Sequence, residues 1–438
     1  MHADLAAIVG SAHVERDVRL EDASGLSGRA GALVAPADAR EVAAVVAWCY
    51  ERDVAMIPVG GRSGYSGGIV PRAGVDADAV AIALDRLDAI RSFDPLLWRM
   101  EAEAGVTTAT VARRARENGL LFPPDPGAAE QSQLGGNLAT NAGGPHAFKY
   151  GVTGRWVTGV EAVLAPGEVV SFGGPVRKDV AGLDLRSLLI GSEGTLGIVT
   201  AAWLRLVPAP GAAFPVVNAY ASVREGCAAI DAVLGSGVVP AALEFLDGRC
   251  VEAAPPPFLP GAAGAGLLVV CEAESSADRD ALLEALGGGA VAPPAGEVWR
   301  WRDGVSIAVR AARGEKLSED IAVPVERLAE AIEGTIAIGA RHGLEGCSWG
   351  HAGDGNLHSS FLLDPGDDAM RARADAAALE LFELARALGG TASGEHGVGL
   401  LKAGQLSRQW SPAAVQAARA VKRALDPKGL FNPGKKEP

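Results

Sequence analysis

Val54-Ala55-Met56-Ile57-Pro58-Val59 runs without a break into Gly60-Gly61-Arg62-Ser63-Gly64-Tyr65-Ser66-Gly67-Gly68. The first six residues read as a short buried strand. The nine that follow hold five glycines, and such a loop can turn several backbone N–H groups toward one anion, forming a nest for phosphate. The glycine spacing is not that of the dinucleotide GxGxxG turn, and no Gly-Lys-Ser/Thr follows as in a Walker A loop. Taken alone, the loop reads equally well as a flexible surface turn, so the rest of the chain has to decide.

Outward from it lie more segments of the same kind. Asp38 or a neighbour caps a helix whose apolar face is Val42, Val45, Val46 and Tyr50. Strands are expected at Ala79–Leu84 and from Trp98, with Thr107 or Thr108 capping a helix that ends at Gly119. Phe122 to Gly127, including Pro126, is a rigid turn. Gln133-Leu134-Gly135-Gly136-Asn137-Leu138-Ala139-Thr140-Asn141-Ala142-Gly143-Gly144 has small side chains, two Asn amides and no charge. It suits the lining of a large planar polar ligand, or plain close packing. A hairpin over 156–172 turns at Ala165-Pro166-Gly167-Glu168. Leu188 to Thr200 then sets another Gly-rich loop, Gly191-Ser192-Glu193-Gly194-Thr195-Leu196-Gly197, before a strand starting at Ile198 and Val199.

The composition shifts at Pro208-Ala209-Pro210-Gly211, where a boundary is placed. Residues 212 to about 415 alternate strand and helix, predicting an antiparallel sheet with helices on one face. The second half carries the titratable motifs. Gly350-His351-Ala352-Gly353-Asp354-Gly355-Asn356-Leu357-His358 sets two histidines seven residues apart, between segments that read as two strands around a tight loop. Ser393-Gly394-Glu395-His396-Gly397-Val398-Gly399 adds a carboxylate and an imidazole. Two imidazoles and one carboxylate make an open metal site, with a second base beside it. A single His beside Gly is more often a turn residue, but the two segments complement each other. Zn²⁺ suits the set best, with Fe²⁺ or Mn²⁺ possible.

A chain of 438 residues is too long for one ordinary core, so at least two domains are expected. The net charge of −13 argues against nucleic acid as a partner. Five scattered cysteines with no CxxC pair suggest neither a zinc knuckle nor an iron–sulfur cluster and fit reduced thiols in a cytoplasmic protein. No basic leader and no apolar run of membrane-spanning length is present, though peripheral attachment at a membrane stays open.

GGRSGYSGG, LGGNLATNAGG, GSEGTLGIVT, GHAGDGNLH, SGEHGVG and LDPKGLFNPGK, in that order and across nearly the whole chain, resemble the FAD-linked D-2-hydroxy acid dehydrogenases. That family includes D-lactate dehydrogenase, the FAD subunit of glycolate oxidase and D-2-hydroxyglutarate dehydrogenase. The resemblance implies an α+β protein with a two-part FAD-binding domain of the vanillyl-alcohol-oxidase type and an α+β substrate (cap) domain built on antiparallel sheet. The FAD domain would be residues 1–210, the cap with its metal site 211–415, and 416–438 a segment returning to the FAD domain.

The resemblance also implies roles. Pro58, Gly60, Gly61, Arg62, Ser63, Gly64, Tyr65, Ser66 and Gly67 would hold the FAD pyrophosphate. Pro126, Gly127, Leu134, Gly135, Gly136, Asn137, Ala139, Thr140, Asn141, Gly143 and Gly144 would run along the cofactor. Gly191, Glu193, Gly194, Gly197, Ile198 and Val199 would line its adenine and ring side, and Asn432 would lie near the flavin. Arg62 stands where some members carry a flavin-linking histidine, so FAD is expected to be non-covalent. His351, His358 and Glu395 would ligate the metal and His396 would be the base. Asn356 would face the substrate, while Arg302 and Lys316 would bind its carboxylate, with Ser306 sharing the role. The implied reaction takes a D-2-hydroxy acid to the 2-oxo acid, with the metal on the hydroxyl and hydride passing to flavin N5. Electrons would leave to an external quinone, cytochrome, electron-transfer flavoprotein or other subunit, and homo-oligomerisation stays open. The alternatives are a non-haem metal oxygenase, on the metal triad alone, and a catalytically silent flavin-binding module.

Overall fold

The computed structural model describes residues 1–437, which divide into two compact units. One consists of residues 1–143, 152–209 and 395–437, the other of 144–151 and 210–394.

The first unit holds two sheets. Val14–Glu21 and Ser27–Val34 pair antiparallel, then Val80–Ala83 and Met56–Val59 add in parallel. The second sheet is antiparallel, in the order Ile90–Asp94, Arg99–Glu103, Ile198–Arg205, Val157–Leu164, Glu168–Gly173. Helix Ala39–Glu51 starts where Asp38 accepts hydrogen bonds from Arg40 N and Glu41 N, the cap expected from sequence. Its Val42, Val45, Val46 and Cys49 enter a core with residues of both sheets. The closing segment joins the edge of Met56–Val59 through Met56 N to Leu430 O and Asn432 N to Met56 O. Asp426 sets that turn by accepting from Leu430 N and Phe431 N, which buries the Phe431 ring completely. Phe431→Ala is expected to cost about 3–5 kcal/mol of stability, read as a lowered urea midpoint. A loss under about 1 kcal/mol would show that the segment does not bind this core.

The second unit is a six-stranded antiparallel sheet, in the order Phe214–Tyr220, Leu267–Ala273, Ala242–Asp247, Glu345–His351, Asn356–Leu363, Glu315–Ala322. Helices Val223–Gly235, Ser276–Leu286, Leu328–Arg341 and Asp368–Ala387 pack on one face around Phe245, Val269 and Phe361. The expectation of helices on one face alone is corrected here. Helices Gly248–Ala253 and Ala295–Arg313 cover the other face, where Val298, Val305 and Val309 meet Leu246, Val270, Cys347 and Trp349. The strands are apolar on both sides, the pattern of a sheet covered twice.

Two boundaries also differ from the sequence reading. The chain re-enters the first unit at Glu395 rather than 416. The reason is local: the Glu193 carboxylate accepts from Val398 N and Gly399 N, and Leu400 N and Leu401 N donate to Ser66 O. Residues 144–151 belong to the second unit, where Lys149 and Tyr150 bind Glu274 and His146 binds Glu272. Among the described residues, no helix is long and apolar enough to cross a membrane.

Candidate active site

In the second unit, strand register gathers the polar residues. His351 lies opposite Asn356 on one side and Glu244 on the other. Two residues along, His358 lies between Trp349 and Asp320. Side chains alternate across a strand, so Glu244, His351, His358, Asn356, Asp320, Trp349 and Lys316 all project from one sheet face. Trp349 and Leu246 mark it as the face under helix Ala295–Arg313, which brings Arg302 and Ser306.

Ligand nitrogens of His351 and His358 lie within 4.8 Å of each other, as do ligand atoms of Asp320 and His358. The two imidazole rings meet edge-on, 5.3 Å between centroids. His351 Nδ1 lies 2.5 Å from Glu244 Oε1, and Arg302 Nε and Nη2 donate to Glu244 Oε2 at 2.8 and 2.5 Å. Burial opposes ionisation of Glu244, but His351 and Arg302 outweigh it and hold the carboxyl below its usual range. Asp320 is buried and accepts from Asn356 Nδ2 and Ser393 Oγ. Asn356 Oδ1 is buried without a hydrogen-bond partner. A histidine pair flanked by carboxylates fits a divalent metal, and an orphaned amide oxygen fits a ligand that donates.

Lys316 Nζ sits 4.3 Å from the centroid of the Trp349 ring and donates to Ser306 Oγ at 2.9 Å. Burial pushes its ammonium down to about 8. The hairpin itself depends on Gly350, where a Cβ would stand 2.3 Å from Asn356 O. Gly394 ends the unit with no room for a side chain beside Asn356 and Asp320, and Glu395 follows at once in the chain.

The first unit carries the Gly-rich loops. Gly60 lies against Gly136, with its Cβ position 3.6 Å from the Gly136 Cα, so the loop and helix Leu134–Thr140 touch through backbone. The 191–195 turn is tied to that helix by Gly191 N to Leu138 O and Glu193 N to Ala139 O. Gly194 packs on Pro58, and Gly143 against the Glu395 carboxylate. Asn432 Nδ2 donates to Gly68 O and Glu193 O. His396 stacks on Tyr65, 4.8 Å between ring centroids, and its Nε2 lies 3.7 Å from Glu395 Oε1.

These residues fit a long polar cofactor. Gln133 Oε1 and Asn432 Oδ1 are buried acceptors without a partner in the protein. A Cβ on Gly68, Gly127 or Gly136 would meet nothing within 4 Å, so those glycines leave backbone open to a bound group. Asn137 and Glu193 face inward instead: the amide donates to Thr108 Oγ1 and the carboxylate holds Val398 and Gly399.

Residues 30–173 match the FAD binding domain family, and residues 213–436 match the C-terminal domain of the FAD linked oxidases. The chain belongs to the FAD-linked oxidase family. This FAD-linked oxidoreductase is 34% identical to glycolate oxidase subunit GlcD of Bacillus subtilis (strain 168), over 92% of this chain and 88% of that one. It is 33% identical to D-lactate dehydrogenase of Anaerostipes hadrus, again over 92% and 88%. A probable mitochondrial D-2-hydroxyglutarate dehydrogenase of Oryza sativa subsp. indica is 33% identical over 93% of this chain and 75% of its own. Among solved structures, p-cresol methylhydroxylase superposes with a TM-score of 0.77 at 15% identity, covering 99% of this chain and 95% of that one. That likeness establishes the vanillyl-alcohol-oxidase-type FAD fold.

The structure thus brings Arg302, Lys316, Asn356, His351 and His358 together on one sheet face of the oxidase. Glu395 and His396 lie with the Gly-rich loops of the first unit. Sequence reasoning missed Glu244 and Asp320. For Glu244 a signal was present, since it is a charge in a mostly apolar strand and such a charge is costly unless paired; Asp320 shares Glu315–Ala322 with three other charged residues, which hides it.

Proposed function

We propose that this FAD-linked oxidase converts a D-2-hydroxy acid of the D-lactate, glycolate or D-2-hydroxyglutarate type to the 2-oxo acid. The relatives' activities support the substrate class. The observation that carries the reading is an imidazole pair on the same sheet face as a half-buried lysine, under a helix that brings a buried arginine. A 2-hydroxy carboxylate needs both: a cationic clamp for its carboxylate and an electrophile for its hydroxyl.

The metal set is His351 and His358 from the hairpin with Glu395, and Zn²⁺ suits it best. FAD is held non-covalently, since Arg62 and not histidine occupies the first Gly-rich loop. When bound, FAD supplies the two-electron acceptor and the metal supplies polarisation of the hydroxyl. The chain's own residues do the rest. Arg302 has five N–H donors, two of them on Glu244, and offers others to the substrate carboxylate. Lys316 adds a second cation. Asn356 Oδ1 accepts from the substrate, and the His396 imidazole, oriented by the Tyr65 ring, takes the hydroxyl proton. Electrons leave to an external acceptor. The FAD-domain match speaks against a metal oxygenase.

One test follows from Lys316. Its cation is present below about 8 and is lost as pH rises through that value. KM for the hydroxy acid is therefore expected to rise about tenfold above pH 8, with kcat changed less. Lys316→Met should raise KM at neutral pH and flatten that limb. A variant with wild-type KM at every pH would remove Lys316 from substrate binding.

A further inference from the structure

We propose that Glu244 is a positioning residue that couples the metal-binding imidazole of His351 to the carboxylate-binding guanidinium of Arg302. The proposal rests on the metal and substrate roles given above and extends them to a residue outside both.

Glu244 is fully buried and lies directly opposite His351 in the sheet. Its two oxygens are divided between two partners. Oε1 faces His351 Nδ1 at 2.5 Å, and Oε2 accepts Arg302 Nε and Nη2 at 2.8 and 2.5 Å. A carboxylate on Nδ1 selects the tautomer with its proton there, which leaves the Nε2 lone pair for a metal. Two donors of one guanidinium on one oxygen fix its plane and direction. A single rigid anion therefore sets where the metal ligand points and where the substrate carboxylate lands, two points a few ångströms apart on a 2-hydroxy acid. The competing reading makes Glu244 only a counter-ion for a buried arginine. That reading gives no reason for Oε1 to lie on His351, and it predicts no effect on metal binding.

The test uses the full-length FAD-loaded protein and Zn²⁺ affinity measured against a chromogenic chelator, alongside KM and flavin content. Glu244→Gln keeps the size but can accept from only one of the two partners. It is expected to weaken Zn²⁺ about 10–100-fold and to raise KM at least tenfold, with flavin content unchanged. If the buried amide prevents folding, Glu244→Asp keeps the charge, but its shorter side chain cannot span both partners. It should lose in Zn²⁺ affinity or in KM. Wild-type Zn²⁺ affinity in Glu244→Gln, with only KM raised, would make Glu244 a counter-ion and overturn the coupling. So would a Glu244→Asp protein normal in both. A wild-type protein that takes up no Zn²⁺, Fe²⁺ or Mn²⁺ would remove the metal reading itself, and the proposal with it.

Discussion

Replacing His396 by alanine is expected to lower kcat by about 10²–10⁴-fold while FAD remains bound. Oxidation at the substrate carbon requires the hydroxyl proton to leave, and a positioned base lowers that barrier in proportion to how well it is held. The His396 ring is held: it stacks on Tyr65, and the turn just after it is pinned by the Glu193 carboxylate through Val398 N and Gly399 N. The Gly399 turn lies close against the Ser66 backbone, since a Cβ there would stand 2.0 Å from Ser66 O. Flavin absorbance reports cofactor content, and stopped-flow bleaching by the hydroxy acid reports the reductive step. Slow bleaching in a fully flavinated variant is the predicted result. Unchanged bleaching would remove His396 from the mechanism.

The second large effect is expected at the hairpin. His351→Ala and His358→Ala should each lose bound metal, and with it about 10²–10³-fold in turnover, since metal polarisation of a hydroxyl is worth several kcal/mol. Elemental analysis of the purified variants measures the metal directly. The two substitutions should differ in stability. His351→Ala also strips Glu244 of a partner inside the sheet and leaves a buried acceptor exposed to the cost of desolvation. A variant that keeps its full metal content would contradict the ligand assignment whatever its activity.

Some of this was legible from sequence because its causes are local. Gly-rich loops, the Asp38 and Thr107 caps, the 157–173 hairpin and the tight turn between His351 and His358 all follow from neighbouring residues. What was not legible depends on partners far apart in the chain. Glu244 in Ala241-Ala242-Leu243-Glu244-Phe245 looks like a stray charge until the register sets it beside His351, 107 positions on. Asp320 becomes part of the face only through its pairing with His358. The return of the chain at Glu395 carries no compositional mark, because amides on Glu193 hold it rather than a linker. The basic run Arg300 to Arg313 reads on its own as a solvated helix face, and the structure shows why that reading fails at one position. Arg302 points inward with Val298, Val305 and Val309, while Arg310 and Arg313 stay at the surface.

The central claim is an FAD enzyme that takes electrons from a D-2-hydroxy acid. Its most direct test is the absorbance spectrum of the purified protein before and after anaerobic addition of D-lactate, glycolate and D-2-hydroxyglutarate. The account predicts the two flavin bands at the start and their bleaching by at least one of the three. A protein that binds FAD but stays oxidised with all of them, metal present, would contradict the reaction proposed here.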